Sequence, residues 1–317
     1  MNGQLKWSAE AKLAAFAGLL SLLFYRPLID LVAYAAKSSM YSHTLLIPVI
    51  SLYLARQKWR GDRVFEAGVS ESREVGERGA RSTVDGRWGG WLGAGLLGLV
   101  AIVVLGLYFA LKRRGTDLVR DDYLFLTVLP YVCFLAAGGF IFLGVQAMRV
   151  LVFPWVFLVF MVPFPVAVMD AIETFLQYAS AEASHLLFAI GGTPYLREGL
   201  RFDLPGISIE VARECSGIRS SLVLFITSLL AGHMFLRSGW KRAVLALVVV
   251  PLGILRNGFR VFTIGMLSAN LDVGIIDSAL HRRGGPIFFV LSLIPFLGLL
   301  WWLRWLERPA HNRSEKA

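Results

Sequence analysis

The sequence predicts an all-α, polytopic integral membrane protein with about eight transmembrane helices and one interfacial amphipathic helix. Of its 317 residues, 56% are hydrophobic, whereas a soluble domain has roughly 45–50%. Only 17% are charged, where about 25% is typical. Several uncharged runs reach the length of about 20 apolar residues that a bilayer-crossing helix needs. The clearest of these runs are 88–111, 123–148, 150–169 and 284–303.

We interpret residues 1–317 as a single membrane-embedded domain, with its spans between about 11 and 305. A charged, glycine-containing segment at 56–87 lacks apolar periodicity and is predicted to be a mobile loop. The polar tail at 306–317 is predicted to be disordered. The predicted spans are 11–34, 41–55, 88–111, 122–144, 147–167, 216–236, 242–268 and 285–304.

Two further segments have patterns of their own. In 168–190, Asp170, Glu173 and Gln177 fall on one helical face, and this spacing predicts an interfacial amphipathic helix. The stretch 200–211 alternates apolar and polar residues around a Pro-Gly pair, which predicts a small hairpin or two short extended pieces.

The net charge of +10 does not indicate nucleic-acid binding, because the basic residues lie mainly in short loops and tails beside the spans. Such a distribution is typical of topology determinants and of contacts with anionic membrane lipids. The positive-inside rule assigns the loop at 56–87, the turn at 237–242 and the tail to the cytoplasmic side. The basic loop at 112–120 does not follow this assignment.

The two cysteines differ in their surroundings. Cys133 lies inside an uncharged span, where a cysteine is a small buried hydrophobic residue. Cys215 stands at the start of a span, with Arg213 and Arg219 nearby. A helix N-terminus with adjacent positive charge favours the thiolate, which is the nucleophilic form. Cys215 is therefore the candidate nucleophile.

Arg260 and His281 are predicted to lie at the same membrane face as Cys215. The span that begins near Arg242 starts at the opposite face, and Arg260 follows 18 residues later. Eighteen helical residues rise roughly 27 Å, against a hydrocarbon core of about 30 Å. His281 follows in the next loop. A thiol, a permanent cation and an imidazole are the groups that thiol-based acyl transfer needs, although sequence order does not show that they touch.

Neighbouring residues are supporting candidates. Arg219 shares a helix face with Cys215, Asn257 lies one turn before Arg260, and His43 opens the second span at the same face. Glu214 and Ser216 flank the cysteine. The sequence shows no convincing metal-ligand cluster and no cofactor motif, so we expect neither a metal nor a cofactor.

Other functions remain open at this point. The arginines at 219, 256 and 260 would line a polar path in a transporter. A non-catalytic scaffold component of a membrane complex would tolerate substitution of all the candidate residues. A lipid-modifying transferase would also form a thioester on a cysteine but would use a small acyl donor.

Several motifs together resemble the exosortase/archaeosortase family, in particular its bacterial exosortases. These are Glu-Cys-Ser-Gly-Ile at 214–218, Asn-x-x-Arg-Val at 257–261 and a single histidine at 281, before the last span. An upstream Tyr-Ser-His at 41–43 and the run at 46–53 also fit. The resemblance covers most of the membrane region.

The resemblance implies a membrane-embedded cysteine protease or transpeptidase in which Cys215, Arg260 and His281 form the catalytic set. The implied substrates are exported proteins whose C-terminal sorting tail combines a PEP-CTERM-like motif, a membrane helix and a basic cluster. It also implies a location in the bacterial inner membrane, with the active site at the periplasmic face. The acceptor nucleophile and the oligomeric state do not follow from it.

Overall fold

The computed structural model describes residues 8–38, 40–71, 83–213, 217–270 and 285–307, with the backbone alone for 60–71, 83–89 and 285–286. The chain forms two compact units, Met1–Val166 and Ala167–Ala317.

The described part of the first unit is built from helices that pack through small residues. A Cβ atom at Gly93 in α4 (Thr83–Arg113) would lie 3.0 Å from the ring of Phe140 in α5 (Arg120–Val150). A glycine at this position therefore lets the two helices approach closely. The backbone of Gly144, at φ 80° and ψ 169°, interrupts α5. The helices are α1 (Ala9–Leu23), α2 (Tyr25–Lys37), a 3-10 helix (Ser42–Leu45), α3 (Ile47–Glu71), α4 (Thr83–Arg113), α5 (Arg120–Val150), α6 (Val152–Phe157) and a second 3-10 helix (Leu158–Met161).

The second unit combines helices with a small antiparallel sheet. Three of its helices, α8 (Ile218–Phe235), α9 (Gly239–Asn270) and α10 (Gly285–Trp305), share an apolar core. The buried residues of this core include Leu224, Leu245, Val249, Phe296 and Leu303. The elements are α7 (Val166–Ile190), β1 (Leu196–Glu198), β2 (Arg201–Leu204), β3 (Ile207–Glu210), α8 (Ile218–Phe235), α9 (Gly239–Asn270) and α10 (Gly285–Trp305).

The predicted hairpin forms, with β2 and β3 paired so that Leu204 stands opposite Ile207. Between them, Pro205 and Gly206, whose φ is +82°, have the residue types that a type II turn requires. One face of the sheet buries Phe202 with other apolar residues against α7 and α9. The sheet therefore holds in place the segment that leads into Val211.

Five described helices are long and apolar enough to cross a membrane, and the number rises to seven if each of two bent helix pairs is one span. One of these pairs, α1 with α2, is bent by 78°. The chain is thus an all-α polytopic membrane protein in its main architecture, whereas the count of eight is not confirmed. The five helices are Gly90–Arg113, Arg120–Val150, Ile218–Phe235, Gly239–Asn270 and Ile287–Trp305.

Three predicted segments differ from the structure. The span predicted at 147–167 is divided among the end of α5, α6, the second 3-10 helix and the start of α7. The span predicted at 41–55 is replaced by a 3-10 helix and by α3, which is not among the candidate spans in the described part of the chain. The predicted loop at 56–87 is helical at both ends, because α3 continues to Glu71 and α4 begins at Thr83. Lys, Arg, Gln, Glu and Ala are strong helix formers even without an apolar stripe. Residues 72–82 and 308–317 lie outside the described residues.

Candidate active site at the start of α8

The chain entering the cysteine motif is held by α7. The side-chain amide of Gln177 donates a hydrogen bond to the carbonyl oxygen of Val211. Two residues later, Arg213 Nη1 lies 3.4 Å from Asp170 Oδ1 in a solvent-exposed ion pair. Gln177 itself is buried. The polar face of α7 therefore contacts this segment through Gln177 and Asp170. Ile172 and Phe175, on the other face, are exposed.

Gly217 caps the amino-terminal end of α8 in a left-handed conformation with φ 74°. Its carbonyl oxygen accepts a hydrogen bond from Arg256 Nη2 at 3.2 Å and another from Ser220 Oγ at 3.0 Å. Arg256 Nη2 also lies 3.3 Å from Ser221 Oγ, to which it donates. One guanidinium on α9 thus binds two groups in the first turn of α8.

Position 217 accommodates only a glycine in this arrangement. A Cβ atom there would lie 3.1 Å from Arg256 Nη2 and 3.2 Å from Asn257 Oδ1, closer than ordinary van der Waals contact. On α9, a Cβ atom at Gly253 would lie 2.6 Å from Ser221 Oγ. The missing side chains at 217 and 253 therefore let α8 and α9 meet closely at the level of Arg256 and Asn257.

The same region of α9 also packs closely on α7. A Cβ atom at Gly258 would lie 2.6 Å from Cβ of Ala183. Ser184 Oγ, which donates to the carbonyl oxygen of Ser180 at 2.8 Å, is also 3.3 Å from the carbonyl oxygen of Gly258. The motif at 257–260 is thus fixed from two sides, through Asn257 near α8 and through Gly258 against α7.

Arg256 is a buried cation, with 8% of its surface exposed. Removing a charged group from water costs several kcal/mol, and a membrane span gives it few compensating partners. Its two hydrogen-bond partners among the described residues are neutral oxygens, of Gly217 and Ser221. Nη1 is buried and has no partner within the described chain. A buried arginine whose described partners are all neutral is energetically costly. Such a residue in a membrane helix is typical of a functional position.

The structure brings together only part of the set predicted from sequence. Asn257 is 2% exposed and packs beside Gly217. Arg260 lies one helical turn further along α9 and is half-buried, while Arg219 is exposed in the first turn of α8. Glu214, Cys215, Ser216 and His281 lie outside the described residues.

His43 belongs to the first unit, in the 3-10 helix Ser42–Leu45. Its ring centroid lies 6.4 Å from that of Tyr41. Burial lowers the pKa of His43 below the ordinary value. A half-buried imidazole of this kind favours the neutral form.

The described residues contain no group of three or more His, Cys, Asp or Glu side chains that would hold a metal ion.

Comparison with known proteins identifies the family. The sequence model for transmembrane exosortases matches residues 35–298, which is most of the chain. The chain belongs to the transmembrane exosortase family. No curated protein and no solved structure matches it. The exosortase match spans the sheet, the motif that precedes α8 and all of α9, and it agrees with a multi-pass membrane protein.

Sequence reasoning did not single out three residues that form the contacts in this exosortase. The sequence alone gives Arg256 a role only as a lining residue of a transport path, and it gives Ser221 and Gly253 none. A signal was present, because Arg256 and Arg260 are four residues apart and share a helix face. Their spacing does not reveal which arginine faces α8.

Proposed function

We propose that this exosortase is a membrane-embedded cysteine peptidase or transpeptidase that cleaves the C-terminal sorting signal of exported proteins. The observation that carries the proposal is the binding of Gly217 by Arg256 of α9. Gly217 follows Cys215 by two residues. Two residues of chain extend at most about 7 Å, so the contact restricts where the thiol can lie.

The surroundings of Gly217 favour a reactive thiol. The amino-terminal end of α8 carries the positive end of the helix dipole. The buried guanidinium of Arg256 adds a full positive charge at the same end. Positive charge near a cysteine favours the thiolate over the thiol. Covalent catalysis is therefore better supported here than a purely structural cysteine.

In the proposed reaction, the Cys215 thiolate attacks the carbonyl carbon of the scissile peptide bond. The tetrahedral intermediate collapses, the C–N bond breaks, and the leaving amine takes a proton from His281. The substrate is then held as a thioester, so that one difficult step is divided into two easier ones. Water or an amine next attacks the thioester carbonyl, gives its proton to His281, and releases the Cys215 thiolate.

Arg260 has the role that a permanent cation suits. A guanidinium stays protonated at every pH of interest and presents its donors in a fixed plane. We assign it to stabilising the thiolate or the oxyanion of the tetrahedral intermediate. Asn257, one turn earlier and buried beside Gly217, supports the packing that holds this part of α9 in place.

The proposed substrates are exported proteins that carry a PEP-CTERM-like motif, a membrane helix and a basic tail. Such a tail remains in the bilayer after export, so an active site at the periplasmic face of the inner membrane would reach the motif. The alternatives of a transporter or a scaffold of exopolysaccharide export gain no specific support from the contacts at α8.

The test is co-expression with a tailed exported protein from the same genome. The unaltered exosortase is compared with Cys215→Ala and Cys215→Ser, and the substrate is followed by gel mobility and C-terminal mass. We expect loss of the tail only with the unaltered protein. The terminal mass then separates hydrolysis from transfer to an amine.

The outcome decides between the function classes. If every tailed protein of the genome stays intact beside a folded, membrane-inserted exosortase, the peptidase proposal fails. Processing that survives Cys215→Ala would show that another group is the nucleophile. A lipid, rather than a protein, trapped on Cys215 would favour an acyl transferase.

A further inference from the structure

A polar cavity lies at the end of α8 remote from Gly217. It has a volume of about 460 Å³ and opens between the end of α8, the start of α9 and the end of α10. Since α8 has 18 residues and rises about 1.5 Å per residue, this cavity is well separated from the candidate active site. We name it the basic pocket; its lining residues are His233, Met234, Phe235, Leu236, Arg237, Arg242, Arg304 and Glu307.

Positive charge dominates the lining, with three arginines against one glutamate. The carboxylate of this glutamate, Glu307, already has bonding partners. Glu307 accepts hydrogen bonds from the backbone N–H groups of Arg237 and Ser238, both at 2.9 Å, before the start of α9. Lys241 Nζ lies 3.8 Å from its carboxylate. Glu307 therefore caps α9 and faces Lys241. Its single negative charge does not balance the three arginines of the lining, which can attract another anion.

Two of the arginines are oriented by groups that carry no negative charge. Arg242 donates from Nε and Nη2 to the carbonyl oxygen of Leu236, at 2.9 and 2.7 Å. These contacts use two of the five N–H donors of a guanidinium. The guanidinium carbon of Arg304 lies 5.7 Å from the ring centroid of Phe235. Both side chains are thus held in place while donors remain for a phosphate.

The apolar surroundings indicate that the anion belongs to a lipid. Met234 and Phe235 line the pocket and are 48% and 45% exposed. Trp240 and Trp302, near the same ends of α9 and α10, are 60% and 50% exposed. Exposed tryptophans at the ends of spans mark the membrane–water interface. A ligand here would meet arginines at one end and an apolar surface at the other.

We propose that the basic pocket binds the phosphate of an anionic phospholipid, with its acyl chains along the exposed apolar residues of α8 and α10. Basic pockets between membrane helices on the cytoplasmic side are suited to such head groups. The positive-inside rule assigns the turn at 237–242 to that side. This lipid site is independent of the proposed peptidase activity.

The test measures lipid retention by native mass spectrometry. Purified protein is mixed with equal amounts of a phosphatidylglycerol and a phosphatidylcholine of the same acyl composition, in one detergent. The variants are Arg237→Gln and Arg304→Gln. Arg149→Gln is the matched control, because Arg149 is an exposed arginine in the last turn of α5. Arg304→Lys keeps the charge and controls for folding.

We expect the unaltered protein to retain phosphatidylglycerol in preference to phosphatidylcholine. Arg237→Gln and Arg304→Gln should each lose about fivefold in this preference, since one basic residue near a membrane surface contributes about that much. Arg149→Gln and Arg304→Lys should keep it. Equal retention of the two lipids, or an equal loss in Arg149→Gln, would overturn the proposal. Displacement of the lipid by millimolar inorganic phosphate would assign the pocket to a soluble anion instead.

Discussion

Arg256 of α9 donates a hydrogen bond to the carbonyl oxygen of Gly217, at 3.2 Å and across 39 residues of sequence. This contact joins the residue just before the motif at 257–261 to Gly217, the fourth residue of the motif at 214–218. We infer that Arg256 is a positioning residue for the start of α8, which follows Cys215 in the sequence.

Replacing Arg256 should impair substrate processing more than it impairs folding. Arg256→Met removes the charged donor to the carbonyl oxygen of Gly217, which keeps its hydrogen bonds from Ser220 Oγ and from the backbone N–H of Ser221. A hydrogen bond that involves a charged group contributes about 1.5–3 kcal/mol. We expect processing to fall at least tenfold and Arg256→Lys to recover part of it. Processing rates and thermal unfolding in detergent are measured together, with Arg113→Met, an exposed arginine at the end of α4, as the control. A rate that falls only in proportion to the folded fraction would contradict a positioning role.

Gly217→Ala tests the left-handed turn before α8. A non-glycine residue in this conformation costs roughly 1–2 kcal/mol, and the added Cβ would press on Arg256 and Asn257. We expect a lower unfolding temperature and little processing. Gly95→Ala is the matched control, because a Cβ there meets nothing within 4 Å and alanine is favoured within a helix. Equal unfolding temperatures for the two variants would show that the turn is not constrained.

The sheet should act as a support for the segment that follows it. Phe202 is fully buried, and a buried Phe→Ala change typically costs 3–5 kcal/mol. Phe202→Ala should therefore expose the hairpin to limited proteolysis and reduce processing. Leu196→Ala, at an edge-strand residue that is 62% exposed, is expected to do neither. Cleavage at the same rate in both variants would mean that the sheet is not held by this core.

His43 makes stability depend on pH. Burial lowers its pKa in the folded protein, so the unfolded chain binds more protons between that pKa and about 6.5. Stability should then fall as pH drops from 7.5 to 5.5. In His43→Gln the unfolding temperature should fall less over this range, whereas Leu45→Ala, an exposed neighbour, should keep the slope of the unaltered protein. Parallel curves for all three would exclude His43 as the source.

The two cysteines should react differently with iodoacetamide. Cys133 is buried within α5 and is expected to react slowly. Under the proposed mechanism Cys215, three residues before the first residue of α8 in the sequence, is expected to react faster as a thiolate. Labelling at pH 7 followed by peptide mass spectrometry should give one modified cysteine, lost in Cys215→Ala and kept in Cys133→Ala. Faster labelling of Cys133 would argue against an activated thiol at 215.

The sequence was sufficient for features set by local pattern. The uncharged runs at 88–111, 123–148 and 284–303 predicted membrane helices, and the alternation around Pro205 and Gly206 predicted the hairpin, because both depend on neighbouring residues alone. The run at 150–169 did not, since it is divided among α6, a 3-10 helix and α7. The strand β1 was missed, since the three residues Leu196–Glu198 are too few to show a period. The helical ends of the 56–87 segment were missed because a charged helix without an apolar stripe resembles a loop.

The contact of Arg256 with Gly217 could not be predicted from the sequence pattern. Helical spacing places Arg256 and Arg260 on one face of α9, but the rotation of α9 against α8 decides which side chain meets Gly217. That rotation is set by close approaches at Gly253 and Gly258, which involve α8 and α7. Glycines in an apolar helix carry no such information until their neighbours are known.

The separation of Gly217 and Arg256 along the chain also sets an order of events during biosynthesis. At 5–20 residues per second, a ribosome needs about 2–8 s to pass from one to the other. During that interval the nascent segment lacks the guanidinium that holds it. A chain terminated before α9 would consequently be inert under the proposed mechanism, so that an unfinished peptidase would not act on the exported proteins around it.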